Sequence, residues 1–175
     1  MTNHSYFNLN GEGQETILNH VVWLDADAFT ETDSELIPTG KMIETEGTPM
    51  DFRESKLIGK DIDSEYEPLR LAGGYDHNWA LNNHGKFQKV AKAYSPLSGI
   101  YMDIMTDLPG VQMYTGNGID NEIGKGGKCY GKNAAVCFET QYFPDAVHHP
   151  NFEVPVCKGG ETYHTVTVYK FMIRE

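Results

Sequence analysis

No segment of this chain keeps a helical period for long, whereas short runs that alternate apolar and polar residues recur between turn signals. Helical layers are therefore excluded as the organising architecture, and strands stacked into sheets are required. From Thr162 to Phe171 the alternation places Thr162, His164, Val166, Val168 and Lys170 on one face. Tyr163, Thr165, Thr167, Tyr169 and Phe171 fall on the other, so this strand is expected to lie between two layers. Ile100 to Asp107 alternates with Ile100, Met102 and Ile104 inward, is stopped by Leu108-Pro109-Gly110, and resumes at Val111 to Tyr114. Val21 to Leu24, His77 to Leu81 and Phe87 to Tyr94 are further strands bounded by Asn, Asp, Gly or Pro. Regularly spaced short strands of this kind predict an all-β fold, an antiparallel sandwich or barrel. A short helix is expected only between Arg53 and Ile62, where Gly59 weakens it. Gly116 to Lys132, with six glycines, reads as a loop without a dinucleotide-binding pattern. No repeat or linker divides the 175 residues, so residues 1–175 are read as one unit.

Charge narrows the function classes. Fourteen Lys and Arg against 25 Asp and Glu give a net charge of -11, which repels nucleic-acid backbones and anionic membranes. Cys129, Cys137 and Cys157 are odd in number and form no CxxC pair, so neither a disulfide framework nor a zinc ribbon is expected. With no basic segment followed by an apolar run at Met1 to Ser5, and no run as long as a membrane span, a reducing, cytoplasmic setting is expected.

Chemistry concentrates around Phe138 to Ala146, FETQYFPDA, which follows the apolar run Ala134 to Cys137. Glu139 stands where an apolar strand passes into a polar, aromatic stretch. It is either a solvated strand-end acid or a carboxylate whose pKa is raised toward that of a general base by Phe138, Tyr142 and Phe143. His4 lies in NHSYFNL, ahead of aromatic and apolar positions. Asp76 follows the Gly73-Gly74 pair in GGYDHNW, where an acid caps a turn or points into a cleft. Gln112 in PGVQMYTGN is a neutral donor and acceptor between apolar neighbours. Adjacent His148 and His149 point to opposite faces of any strand, and no metal-ligand motif accompanies them, so no metal is expected.

NHSYFNL, LIPTGK, PMDFR, GGYDHNW, PGVQMYTGN and FETQYFPDA occur in an order and spacing that resembles the galactose mutarotase (aldose 1-epimerase) family along nearly the whole chain. The resemblance implies an antiparallel β-sandwich that binds a free hexose, galactose or glucose, and interconverts its α and β anomers without metal or organic cofactor. It implies that His4 is the acid at the ring oxygen, that Glu139 is the base at the anomeric hydroxyl, and that Asp76 and Gln112 hold sugar hydroxyls. Tyr6, Phe7, Trp79, Tyr142 and Phe143 are available as an apolar wall for the sugar, or simply as core. Chains of the family are about twice as long, and this one resembles their carboxyl-terminal half. The amino-terminal half, with a second active-site histidine and an Asn-Arg pair, has no counterpart here. An incomplete sandwich with exposed edges, and hence self-association or a complementing chain, follows from that difference. A non-catalytic carbohydrate-binding remnant and a hexose-6-phosphate mutarotase are the alternatives.

Overall fold

In the computed structural model, which describes residues 1–14 and 16–173, the alternating runs become antiparallel sheets. The strands are β1 (Val21–Leu24), β2 (Ala28–Thr32), β3 (Pro38–Glu44), β4 (Lys56–Leu57), β5 (Asp76–Ala80) and β6 (Gln88–Tyr94). They continue as β7 (Ile100–Thr106), β8 (Gly110–Tyr114), β9 (Glu122–Ile123), β10 (Cys129–Tyr130), β11 (Cys137–Gln141) and β12 (Thr167–Ile173). One five-stranded sheet has the order β12-β7-β6-β1-β4 and the other β11-β8-β5-β2-β3. Their facing side chains share one core: Val22, Leu24, Ala93, Met102 and Ile104 from the first sheet, and Phe29, Trp79, Val111, Met113 and Phe138 from the second. The expected all-β sandwich is present, and five of the expected strands fall within a residue or two of their predicted bounds.

Register turns the period-two pattern of the second sheet into rows. Phe29, Trp79, Val111 and Thr140 are aligned across four strands, and His77, Met113 and Phe138 across three, all buried. Between them, on the opposite face, run Asn78–Gln112–Glu139 and Asp76–Tyr114–Cys137. One face of this sheet is thus apolar core and the other a polar floor.

The stretch expected as a helix, Arg53 to Ile62, forms β4 and a 3-10 turn at Ile58–Lys60. Gly59 explains the difference: its N–H donates to the Leu18 carbonyl at 2.9 Å, and a Cβ there would lie 2.9 Å from that oxygen. The chain is pinned against Leu18 instead of coiling. The helix lies instead at α1 (Glu67–Ala72), with Pro68 in its first turn and Gly73 at its left-handed end, φ 67° and ψ 21°. The glycine-rich stretch contains a small hairpin, β9 with β10, around a 3-10 turn at Lys125–Gly127. The carboxyl-proximal strand starts at Thr167, not Thr162, and among the described residues pairs only with β7, at the edge of its sheet. Phe171 and Ile173 are exposed there, so it does not lie between two layers.

PMDFR acts as a structural plug. Trp79 Nε1–H donates to the Met50 carbonyl at 3.0 Å, Tyr75 Oη–H donates to the Pro49 carbonyl at 3.0 Å, and Phe52 is buried against both rings. Gly74, at φ 145°, carries the chain from α1 into β5. A side chain at Gly74 would strike the Asn117 amide, which is fixed by Thr115 and by the Ala72 and Tyr75 carbonyls. Gly74→Ala is expected to lower stability by about 1–3 kcal/mol, and an unchanged urea midpoint would show that the turn relaxes freely.

Candidate active site

The polar floor of the second sheet is the base of a cleft of about 520 Å³. Tyr6 and His4 rise on one side of it and Leu36 and Pro38 on the other, with Thr30 and Thr32 of β2 continuing the floor. His4 belongs to no strand. The segment carrying it is tied alongside β11 by the Phe7–Val136 bridge, whose two backbone hydrogen bonds are each 2.9 Å. Thr2 Oγ1–H donates to the Thr140 carbonyl and Asn8 Nδ2–H to the Ala134 carbonyl, each at 2.9 Å.

His4, Asp76, Gln112 and Glu139, far apart in sequence, all line this cleft. His4 Nε2 lies 3.3 Å from Glu139 Oε1, and His4 Nδ1 lies 3.4 Å from Cys137 Sγ. Gln112 Nε2–H donates to Asp76 Oδ1 at 2.8 Å, which fixes the amide and directs its oxygen away from Asp76. Gln112 Oε1 and both polar atoms of Asn78 are buried and, among the described residues, have no protein partner. Buried amide atoms left this way cost stability unless a ligand or solvent completes them.

Burial pushes the Glu139 carboxyl above the usual carboxylate range; His4 opposes that shift and Asp76 adds to it. Asp76 is raised by burial as well, with the Gln112 hydrogen bond and His4 pulling it down. The Cys137 thiol is pushed up to about 12 by burial and by the Glu139 and Asp76 charges, and so is protonated at neutral pH. Glu139 lies in the middle of β11, not at a strand end, and the desolvation has a different source from the one expected. Phe138 faces the core, Tyr142 stacks toward Tyr163, and Phe143 packs on Phe152. Of the aromatic wall, only Tyr6 lines the cleft, joined by Tyr114. Trp79 is core, and Phe7 packs on Tyr169 and Phe171.

Asn78, Tyr114 and Cys137 were not singled out from the sequence. The signal was available, because each stands two residues from a selected position on the same strand, and i and i+2 share a face. His148 and His149 both turn to Asp145, and His149 Nε2 also approaches the Pro38 carbonyl at 2.9 Å. That clasp ties the turn after β11 to the cleft rim. No helix among the described residues is long and apolar enough to cross a membrane.

A sandwich whose outer sheet face carries a histidine–carboxylate contact over a floor of amides is an architecture with known relatives. Residues 1–170 match the family model described as aldose 1-epimerase, and the chain belongs to that family. Galactose mutarotase from Bos taurus is 40% identical over 174 residues, 99% of this chain and 49% of the relative. Aldose 1-epimerase from Escherichia coli is 33% identical over 175 residues, covering 98% of this chain and 50% of that protein. Among solved structures, an aldose epimerase homologue from C. elegans superposes with a TM-score of 0.85 at 27% identity, over 99% of this chain and 51% of that one. Galactose 1-epimerase from Lactobacillus acidophilus gives a TM-score of 0.77 at 27% identity, over 99% and 48%. The chain spans about half the length of the relatives it matches.

Proposed function

We propose that this chain is the acid–base portion of an aldose 1-epimerase acting on a free hexose, galactose or glucose, in a cytoplasmic hexose pathway. The observation that carries this reading is the His4–Glu139 contact of 3.3 Å set in one cleft with the unpartnered amide atoms of Asn78 and Gln112. Opening a cyclic hemiacetal removes a proton from the anomeric hydroxyl and delivers one to the ring oxygen. Both oxygens are bonded to the same carbon, so an acid and a base that touch each other can serve the two at once. Glu139 takes the hydroxyl proton, His4 supplies the ring-oxygen proton, rotation about C1–C2 follows, and reclosure reverses the proton movements. Asp76 and Gln112, hydrogen-bonded to each other, present a remaining carboxylate oxygen and an amide oxygen to sugar hydroxyls. Asn78 adds a donor and an acceptor in the same row.

A phosphorylated hexose fits less well: the cleft lining contains Asp76 and Glu139 but no lysine or arginine among the described residues. The second reading is a sugar-binding unit without turnover, in which Asn78 and Gln112 hold hydroxyls while no proton transfer follows. Polarimetry on fresh α-galactose and α-glucose separates the two. Accelerated decay of rotation supports the epimerase, whereas galactose binding without acceleration supports the binding unit. The edge strand β12 exposes Phe171 and Ile173, and the opposite sheet ends in β3 with Met42 exposed. Unpaired edges with apolar side chains favour pairing with another chain, so self-association or pairing with a complementing chain is expected. Size-exclusion chromatography checks the self-association, which a monomer at all concentrations would contradict.

A further inference from the structure

Cys137 has no part in the proton transfers, yet its side chain stands beside both proposed participants. It shares one face of β11 with Glu139, two residues away, and His4 spans the pair, with one ring nitrogen toward the sulfur and the other toward the carboxylate. One donor atom from each of the three residues lies within 4.8 Å of the other two. From these positions we propose that His4, Cys137 and Glu139 form a three-ligand site for a thiophilic divalent cation of the zinc and cadmium class.

The donor set is one nitrogen, one sulfur and one carboxylate oxygen, which suits zinc or cadmium and disfavours magnesium and calcium. Metal–ligand bonds of about 2.0–2.3 Å require the three donors to draw slightly together around the ion. His4 supplies that adjustment, because it sits on an exposed segment outside any strand. His4 and Glu139 line the cleft, so water entering there would complete a fourth position. Asp76, close enough for its charge to raise the pKa of both Cys137 and Glu139, adds negative potential that favours a cation. Binding exchanges the thiol proton for the ion: Cys–SH and M²⁺ give Cys–S–M⁺ and a proton released to solvent.

This site stands on geometry independent of the epimerase reading; its consequence, that an ion there occupies the proposed acid and base together, rests on that reading. Cadmium is the diagnostic ion, because its bond to a thiolate gives an ultraviolet charge-transfer band. The exposed Cys129 and Cys157 lie outside the cleft lining and are first replaced by serine. The Cys129→Ser, Cys157→Ser chain is expected to develop the band and saturate at one cadmium per chain. Cys137→Ser in that background should abolish the band. His4→Asn, a change at an exposed position that leaves the core intact, should weaken cadmium binding at least 10-fold while the band's ligand remains. Absence of the band in the folded parent, its persistence in Cys137→Ser, or unchanged affinity in His4→Asn would each overturn the proposal. Where the parent turns over hexose, activity should fall in step with the band, which separates failure of the metal site from failure of the epimerase reading.

Discussion

Glu139→Gln is expected to slow anomer interconversion about 10²–10⁴-fold, the usual worth of a positioned acid or base, in any preparation whose parent is active by polarimetry. The amide keeps the carboxyl's shape and its place in the Asn78–Gln112–Glu139 row, so sugar binding should change far less than turnover. Stability should hold or rise, because a buried charge beside Asp76 is removed. Loss of rate with retained fold would therefore assign the effect to chemistry. A variant as fast as its parent would remove Glu139 from the base role. The parent's pH profile offers a second view of the same group. Glu139 is raised above the ordinary carboxylate range, so it gains a proton, and stops acting as a base, at a higher pH than an exposed glutamate would. The acid limb of the rate should lie correspondingly high.

Acid should weaken this chain before its exposed carboxylates titrate. His20 is buried with Nε2 accepting the Leu9 N–H at 2.8 Å, and its Nδ1 lies 3.1 Å from Asn19 Oδ1. His77, also buried, accepts the Asp76 N–H at Nδ1, 3.1 Å away. A proton added to either accepting nitrogen breaks a backbone hydrogen bond and places a charge in the core. Burial lowers each imidazole from 6.5 to about 4. Between those values the unfolded state binds protons that the folded state refuses. This contribution is fully present above pH 6.5 and is lost as pH falls toward 4, by about 3 kcal/mol for each histidine. Glu31, Asp51 and Asp145, held low by Thr39, Arg53 and His148 respectively, lose stability in the same direction further down. Glu139 and Asp76, raised by burial, work against the trend. Urea unfolding at pH 7 and pH 5 should show a marked fall in midpoint, reduced in His20→Gln. Equal midpoints at the two pH values would mean that neither imidazole is refusing its proton.

The strands with clean alternation were legible because each buries one face. Tyr101 to Thr106 alternates partly exposed and buried positions residue by residue, and the sequence carries the same period. Strands β2 and β3 were not read, since β2 breaks register between Thr30 and Thr32 and β3 is largely exposed, so neither displays a clear period. The edge strand β12 misled for the opposite reason. Its large side chains suggested burial on both faces, but edge position is set by pairing partners, which alternation does not encode. In the site, His4, Asp76, Gln112 and Glu139 were selected through motif resemblance, and the fold gathers them in one cleft. Asn78 and Cys137 share a face with Asp76 and Glu139 by i, i+2 spacing, whereas the cross-strand register that lines Asn78 up with Gln112 and Glu139 is not stated by a single sequence.

The mooring of the His4 segment gives the protein two separable modes of failure. Among its regular pairings is the isolated Phe7–Val136 bridge, and the first six residues are exposed, whereas Glu139 is locked between buried neighbours of β11. Amides of a segment held this way open to solvent exchange at a fraction of the free energy needed to open Trp79 or Met113. Partial detachment would carry the proposed acid away from its partner while the spectroscopic signature of the sheets stayed whole. Loss of the His4–Glu139 contact and thermal melting are then distinct transitions, the first a subglobal event confined to the His4 segment and the second the loss of the sandwich itself.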